Sequence, residues 1–197
     1  MLFLLPPSET KEVGGSPLSI SQVALTFGGL NPARDAVYDA LKALCERPEE
    51  AAKVLKLGKK QLDQIAINLE VQDAPTMPAI NRYTGTLYDA IHGRGLKGTP
   101  TEHNQITKEM FERAKDTVLI QSALFGLIPA TNLIPNYRFS AGTKIPGFDL
   151  KKHWAEAHHI IWKRLEGQQI IDLRSKAYAE LAPIPEHFDH LSVEVFD

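Results

Sequence analysis

Cysteine is the scarcest chemistry in this chain: Cys45 is the only one in 197 residues. A single thiol excludes an intrachain disulfide and fits a reducing compartment. Cys45 sits among apolar residues of an expected helix, which reads as structural. The competing reading, a redox sensor, needs an exposed and electropositive setting. Excess charge of one sign is also missing, with 22 Lys+Arg against 24 Asp+Glu and a pI near 6.4. That excludes a protein that coats nucleic acid by global charge, so any DNA contact must come from a local patch. No apolar run approaches the length of a membrane span. Four apolar residues follow Met1 before Pro6-Pro7, with no basic flank, so no signal peptide is expected and the reading is cytoplasmic. There is no G-x-S-x-G elbow to support a hydrolase triad. There is no H-E-x-x-H either: His153, His158 and His159 share a helix without tidy ligand spacing, and His187 and His190 lie in a tail segment. No metal site and no cofactor are expected.

Hydrophobic residues make up 43% of the chain, enough for one domain with a buried core. Residues 2–5 read as a buried strand stopped by Pro6-Pro7. A Gly/Ser/Pro-bearing connection covers 12–30, and Asn31-Pro32 reads as an N-cap and first helical position. Residues 48–71 read as two helices, 48–57 and 59–71, joined at Gly58. A short strand is expected at 79–83, a helix at 84–91 and a mobile loop at 92–105. A helix at 106–114 and a strand at 117–121 follow. Asp149 is expected to cap a long helix over 150–166, ended by Gly167. A strand at 169–173, a short helix to Leu181 and a strand at 191–196 complete the pattern. Strands alternating with helices predict an α/β domain over 1–197, a mixed sheet flanked by helices with a small helical insertion.

The segment Ser122–Gly142 stands apart. Gly126, Pro129, Pro135 and Gly142 punctuate short apolar runs, and Asn132, Asn136, Tyr137, Arg138 and Ser140 sit between them. An apolar loop that holds an arginine must supply it with partners, so the segment is expected to line a site rather than fill a core. Ser8, Glu9, Thr10 and Lys11 follow the first strand, at the end where open α/β sheets bind ligands. They read either as a solvated turn or as an anion clamp. Arg138 can fork two hydrogen bonds onto a phosphate or carboxylate, or pair structurally with a carboxylate such as Asp172. Asp172, Arg174, Ser175 and Tyr178 cluster at another strand end. Lys53, Lys56, Lys59 and Lys60 surround Gly58, and the run LKLGKKQLDQIA resembles the second half of a helix–hairpin–helix. A glycine turn there would offer backbone N–H groups and lysines to a DNA phosphate; the bland reading is a solvated lysine face.

The run SALFGLIPATNLIPNYRFSAG resembles the central signature of the YaaA family of bacterial peroxide-stress proteins. LFLLPPSETK at the start, RYTGTLYDAI around Tyr83, HWAEAHHIIWKRL and IIDLRSKAY follow in that family's order and at about its spacing. Many members carry S-P-A-K-T near the start, with lysine where this chain has Glu9, which puts Lys11 in the substitute's place two positions on. Members of the family run on into a basic segment, so the chain is identified as a C-terminally short, actinobacterial-type member. The resemblance implies a peroxide-stress protein that limits hydrogen-peroxide or iron damage and binds double-stranded DNA through Lys53, Lys56, Gly58, Lys59 and Lys60. It puts a pocket of Ser8, Glu9, Lys11, Tyr83, Thr84, Tyr137, Arg138, Ser140, Asp172, Arg174 and Ser175 at the strand ends, open to a small anionic ligand. The alternative is an enzyme acting on a nucleotide, nucleobase or phosphorylated small molecule in that pocket. Arg138, Arg174 and Lys11 would then bind the anion, with Glu9 or Asp172 as acid or base.

Overall fold

The structure, a computed structural model, describes residues 1–93 and 106–193. The expected loop at 92–105 therefore lies largely outside the described residues, as does the second half of the last expected strand, 191–196.

Strand β1 (Leu2–Leu5) is the centre of a five-stranded sheet. It pairs in parallel with β3 (Val118–Ser122) on one side and β6 (Ile170–Asp172) on the other. Strand β7 (His190–Ser192) extends the sheet beyond β6 in parallel, and β4 (Gly126–Pro129) closes the opposite edge antiparallel to β3. Strands β2 (Thr76–Pro78) and β5 (Leu133–Pro135) form a separate antiparallel pair. Leu4, Ile120, Leu127 and Ile128 are wholly buried, so these strands read as apolar runs rather than alternating patterns. Because β1, β3 and β6 run the same way, Pro6–Lys11, Ser122–Phe125 and Leu173–Ser175 all emerge at one end of the sheet.

Helix α1 (Asn31–Cys45) packs Val37, Leu41, Leu44 and Cys45 into the core. Its N-cap is Leu30, with Asn31 already helical, one position before the expected cap. Helix α2 (Pro48–Val54) ends early. The chain then passes through Lys56 at φ 54, takes a 3-10 turn at Lys59–Gln61 and forms α3 (Gln64–Leu69). The expected second helix of 59–71 is thus replaced by a turn and a six-residue helix. The short strand expected at 79–83 is instead helix α4 (Ala79–Arg82). Gly85, at φ 99, then starts α5 (Thr86–Ile91). Helix α6 (Lys108–Thr117) is capped by Thr107, whose hydroxyl accepts from the Met110 amide.

The expected helix over 150–166 is two pieces, α7 (Leu150–Ala157) and α8 (His159–Arg164), with Asp149 capping the first as anticipated. The break lies at His158, which is wholly buried. Its Nε2 accepts from the Leu127 amide at 3.0 Å, so the ring proton is on Nδ1, which donates to the Trp154 carbonyl at 2.7 Å. Helix α9 (Lys176–Ala179) follows β6.

Two buried arginines fasten the 12–30 connection and the small sheet to this frame. Arg82, wholly buried, donates to the carbonyls of Glu12, Gly14 and Pro75, and to that of Ile134 in β5. Arg34 donates to the Thr26 and Phe125 carbonyls at 2.9 Å and to Asn31 Oδ1 at 2.8 Å. Each charge is dispersed over several carbonyl dipoles, which is how a guanidinium survives burial without a carboxylate. Burial still pulls both pKa values down to about 10.

Candidate functional site at the strand ends

Most of the Ser122–Gly142 segment is core. Every residue from Ser122 to Ala130 is buried, and β4 and β5 account for its apolar runs. Gly126 is required by packing: its φ is +67, and a Cβ there would lie 2.7 Å from the Trp154 ring. Its last part, Arg138–Gly142, lines a cavity of about 450 Å³ together with Thr143. Pro7, Glu9 and Lys11 form another wall, Val54–Lys56 a third, and Ala177 and Tyr178 of α9 a fourth.

The loop after β1 is held against the loop before α5. Lys11 and Tyr83 form an antiparallel bridge, and the Thr84 amide donates to the Thr10 carbonyl at 3.1 Å. The Thr84 hydroxyl donates to Thr10 Oγ1 at 2.9 Å, and Ser8 Oγ lies 3.3 Å from the same atom. Ser8 and Thr84 thus shape the loop rather than line the cavity.

Arg138 reaches the Glu9 carboxylate at 3.1 Å and the Glu9 carbonyl at 3.4 Å. Its expected partner, Asp172, is elsewhere engaged. Both oxygens of Asp172 accept from Arg174, at 2.8 and 2.7 Å, and Arg174 also donates to the Ala182 carbonyl. Asp172, Arg174 and Ser175 border a separate hollow and do not join Glu9, Lys11 and Arg138. The reason is local: residues two apart on one strand end close a fork within their own turn, and burial leaves the Arg174 side chain with no exposure to spend on a ligand. The Glu9 side chain, by contrast, is 67% exposed, so its hold on Arg138 is loose and screened.

Lys11 has an unusual setting. Its ammonium nitrogen lies 4.1 Å from the Tyr137 ring centre and 5.5 Å from that of Tyr83. Its hydrogen bonds go to the carbonyls of Ser8, at 3.1 Å, and Glu9, at 3.4 Å. Burial and the Arg138 guanidinium lower its pKa to about 7, with Glu9 pulling the other way and Arg82 adding to the fall. Behind it runs a chain of hydroxyls. Ser122 Oγ accepts from the amides of Leu124 and Phe125, so it donates to Tyr137, 2.9 Å away, and Tyr137 in turn donates to Tyr83 at 2.7 Å. Burial raises the pKa of both phenols, which stay neutral.

Lys53, Lys56, Lys59, Lys60 and Gly58 are all exposed, and among the described residues none of these lysines has an ion-pair partner. Lys56 is at once part of this turn and of the cavity rim. The Gly58 amide, expected to face a phosphate, donates instead to Gln61 Oε1 at 3.0 Å. What the turn presents is therefore side-chain charge. Sequence reasoning missed Asn68, which is wholly buried in α3. Its Nδ2 donates to the Arg138 carbonyl at 2.8 Å and its Oδ1 accepts from the Arg138 amide at 2.7 Å. An amide at an apolar-stripe position, between Ile65 and Leu69, was the available signal. Among the described residues no three His, Cys, Asp or Glu side chains come together as a metal site. No described helix is long and apolar enough to cross a membrane.

Comparison with known proteins adds a family. A family profile described as "Peroxide stress protein YaaA" matches residues 1–196. A UPF0246 protein of Corynebacterium efficiens is 38% identical over 192 residues, covering 94% of this chain and 71% of that protein. A UPF0246 protein of Streptomyces coelicolor is 37% identical over 182 residues, covering 91% of this chain and 66% of that protein. An uncharacterized protein of Campylobacter jejuni is 30% identical over 183 residues, covering 90% of this chain and 69% of that protein.

Proposed function

The chain belongs to the YaaA family of peroxide stress proteins, and on that premise we propose that it protects DNA under peroxide stress by holding the duplex through its phosphates. The observation that carries this reading is adjacency. Lys56 belongs both to the exposed lysine turn and to the rim of the cavity that holds Arg138 and Lys11. A backbone crossing the turn would present one phosphate to Lys53, Lys59 or Lys60 and another to Lys56 and Arg138. Such contacts position a protein on DNA without reading sequence, which suits protection of a whole chromosome. A balanced overall charge does not oppose it, because Lys53, Lys56, Lys59 and Lys60 lie together around one turn.

Replacing both Lys59 and Lys60 with Glu tests the reading by fluorescence anisotropy on short labelled duplexes. Affinity is expected to fall at least tenfold, equally for unrelated sequences. Unchanged affinity would refute it. A second reading, an enzyme for a phosphorylated small molecule, is favoured by the half-buried Lys11 amine in a cavity of ligand size.

A further inference from the structure

Among the described residues Lys11 makes no ion pair with a carboxylate, and that of Glu9 is turned towards Arg138. Its nitrogen donates to two backbone carbonyls and opens on the same cavity as Arg138 and Lys56. A neutral amine needs only two donors for that pair of carbonyls, and it keeps a lone pair. An ammonium in this place would serve the Tyr137 ring better but would face Arg138 and Arg82. A lysine kept for packing alone would be paired or would extend into solvent. We propose that Lys11 is an amine nucleophile that forms an imine with an aldehyde carrying a phosphate group, the phosphate taking the place of the Glu9 carboxylate on Arg138.

The chemistry balances without an added reagent. The Lys11 lone pair adds to the aldehyde carbon, and the carbonyl π electrons move to oxygen, which takes a proton. The resulting carbinolamine loses that oxygen as water, leaving a carbon–nitrogen double bond. Burial and the two guanidinium groups, Arg138 and Arg82, bring the amine's pKa to about 7 against the pull of Glu9, while Tyr83, Tyr137 and Tyr178 around it stay neutral. At neutral pH that gives roughly a thousandfold more free amine than an ordinary lysine has. Arg138, forked and only partly exposed, supplies the anion selectivity. The cavity of about 450 Å³ fits a small sugar phosphate.

The inference rests on the phosphate-binding reading above and deepens it, because an abasic site in DNA is an aldehyde flanked by phosphates. A free aldose phosphate has the same chemistry. The whole chain is incubated with sodium cyanoborohydride and one of three probes: a duplex with a single abasic site, glyceraldehyde 3-phosphate, or glyceraldehyde. Intact mass and peptide mapping follow. The expected result is one secondary amine on Lys11, formed at least tenfold faster with a phosphorylated probe than with glyceraldehyde. Labelling should rise between pH 6 and 8 and then level. Lys11→Met should abolish it, and Arg138→Gln should slow the phosphorylated probes towards the glyceraldehyde rate. Labelling by the abasic duplex alone identifies DNA as the source, and labelling by the aldose phosphate identifies a free metabolite. Label spread over surface lysines, or undiminished in a folded Lys11→Met protein, would overturn the proposal. Anisotropy on an intact duplex in the same buffer separates the two ideas: binding without a Lys11 adduct overturns only the imine, and an adduct without duplex binding overturns only the DNA reading.

Discussion

His158 is a neutral imidazole bound into the core by one donated and one accepted hydrogen bond. Burial lowers its pKa to about 4 although its bond to Trp154 acts in the opposite sense. Unfolding restores the ordinary value near 6.5, so the unfolded chain takes up a proton that the folded one refuses. Stability from this residue is complete above pH 6.5 and drains away as pH falls towards 4, by roughly 3 kcal/mol in all. Urea unfolding of the parent and His158→Gln at pH 7 and pH 4.5 checks it. The variant should be the weaker of the two at pH 7 yet lose less between the two values. Glu9 governs the opposite kind of residue, one at the surface. It occupies Arg138 with an exposed carboxylate, so Glu9→Gln should tighten phosphate-containing ligands several-fold, read by anisotropy or thermal shift, with little change in stability. At this scale the candidate residues after β1 and in the Tyr137–Ser140 stretch were legible, because turn chemistry after a strand is local. The pairing was not. Arg138 with Glu9 depends on where two loops settle, which no periodicity carries, and Asp172 is taken by its near neighbour Arg174. Arg34 and Arg82 were equally silent, because a buried guanidinium bonded to carbonyls leaves no carboxylate partner in the sequence to find.

The elements that matter most are short. Helix α3 has six residues and would not persist alone in water, so its place is fixed by tertiary bonds. Asn68 supplies two of them, both to the backbone of Arg138. Asn68→Leu keeps the volume and strands a buried N–H and C=O, at a cost of about 2–3 kcal/mol. Because a displaced Arg138 loses its phosphate contact, DNA affinity should fall and the slope of log K against log salt should shrink by up to about 1. Urea unfolding and a salt series read the two effects separately, and an unchanged slope would show that Asn68 does not act through Arg138. Strands β1, β3 and β6 and the cap at Asp149 were legible because each is written in adjacent residues, whereas β4, inside the punctuated 122–142 segment, was not. The splitting of 150–166 at His158 was not, since a helical stripe continues through it and the break answers to a partner in β4. Likewise 79–83, too short to carry a period, became a helix once Arg82 had to reach Glu12, Gly14, Pro75 and Ile134.

For the whole molecule, an apolar mixed sheet holds three loops at one end, and Val54–Lys56 of the helical insertion borders a cavity lined by the first of them, by Arg138–Thr143 and by α9. The mixed α/β class followed from alternation of strands and helices. The separation of two strand-end hollows did not, because parallel neighbours β1 and β6 suggest one shared site, whereas α9 gives Ala177 and Tyr178 to one hollow and Lys176 and Ala179 to the other. Four exposed lysines around one turn, on a chain of near-zero net charge, make ionic strength the sharpest probe of function. The measurement that goes straight to the central claim is duplex affinity across a salt series, for the parent chain and for Lys56→Gln, Lys59→Gln and Arg138→Gln. Binding should weaken steeply with salt, and each variant should reduce the slope of log K against log salt by about 1. No binding at low salt, or a slope that none of the three changes alters, would contradict a duplex held jointly by the lysine turn and the cavity.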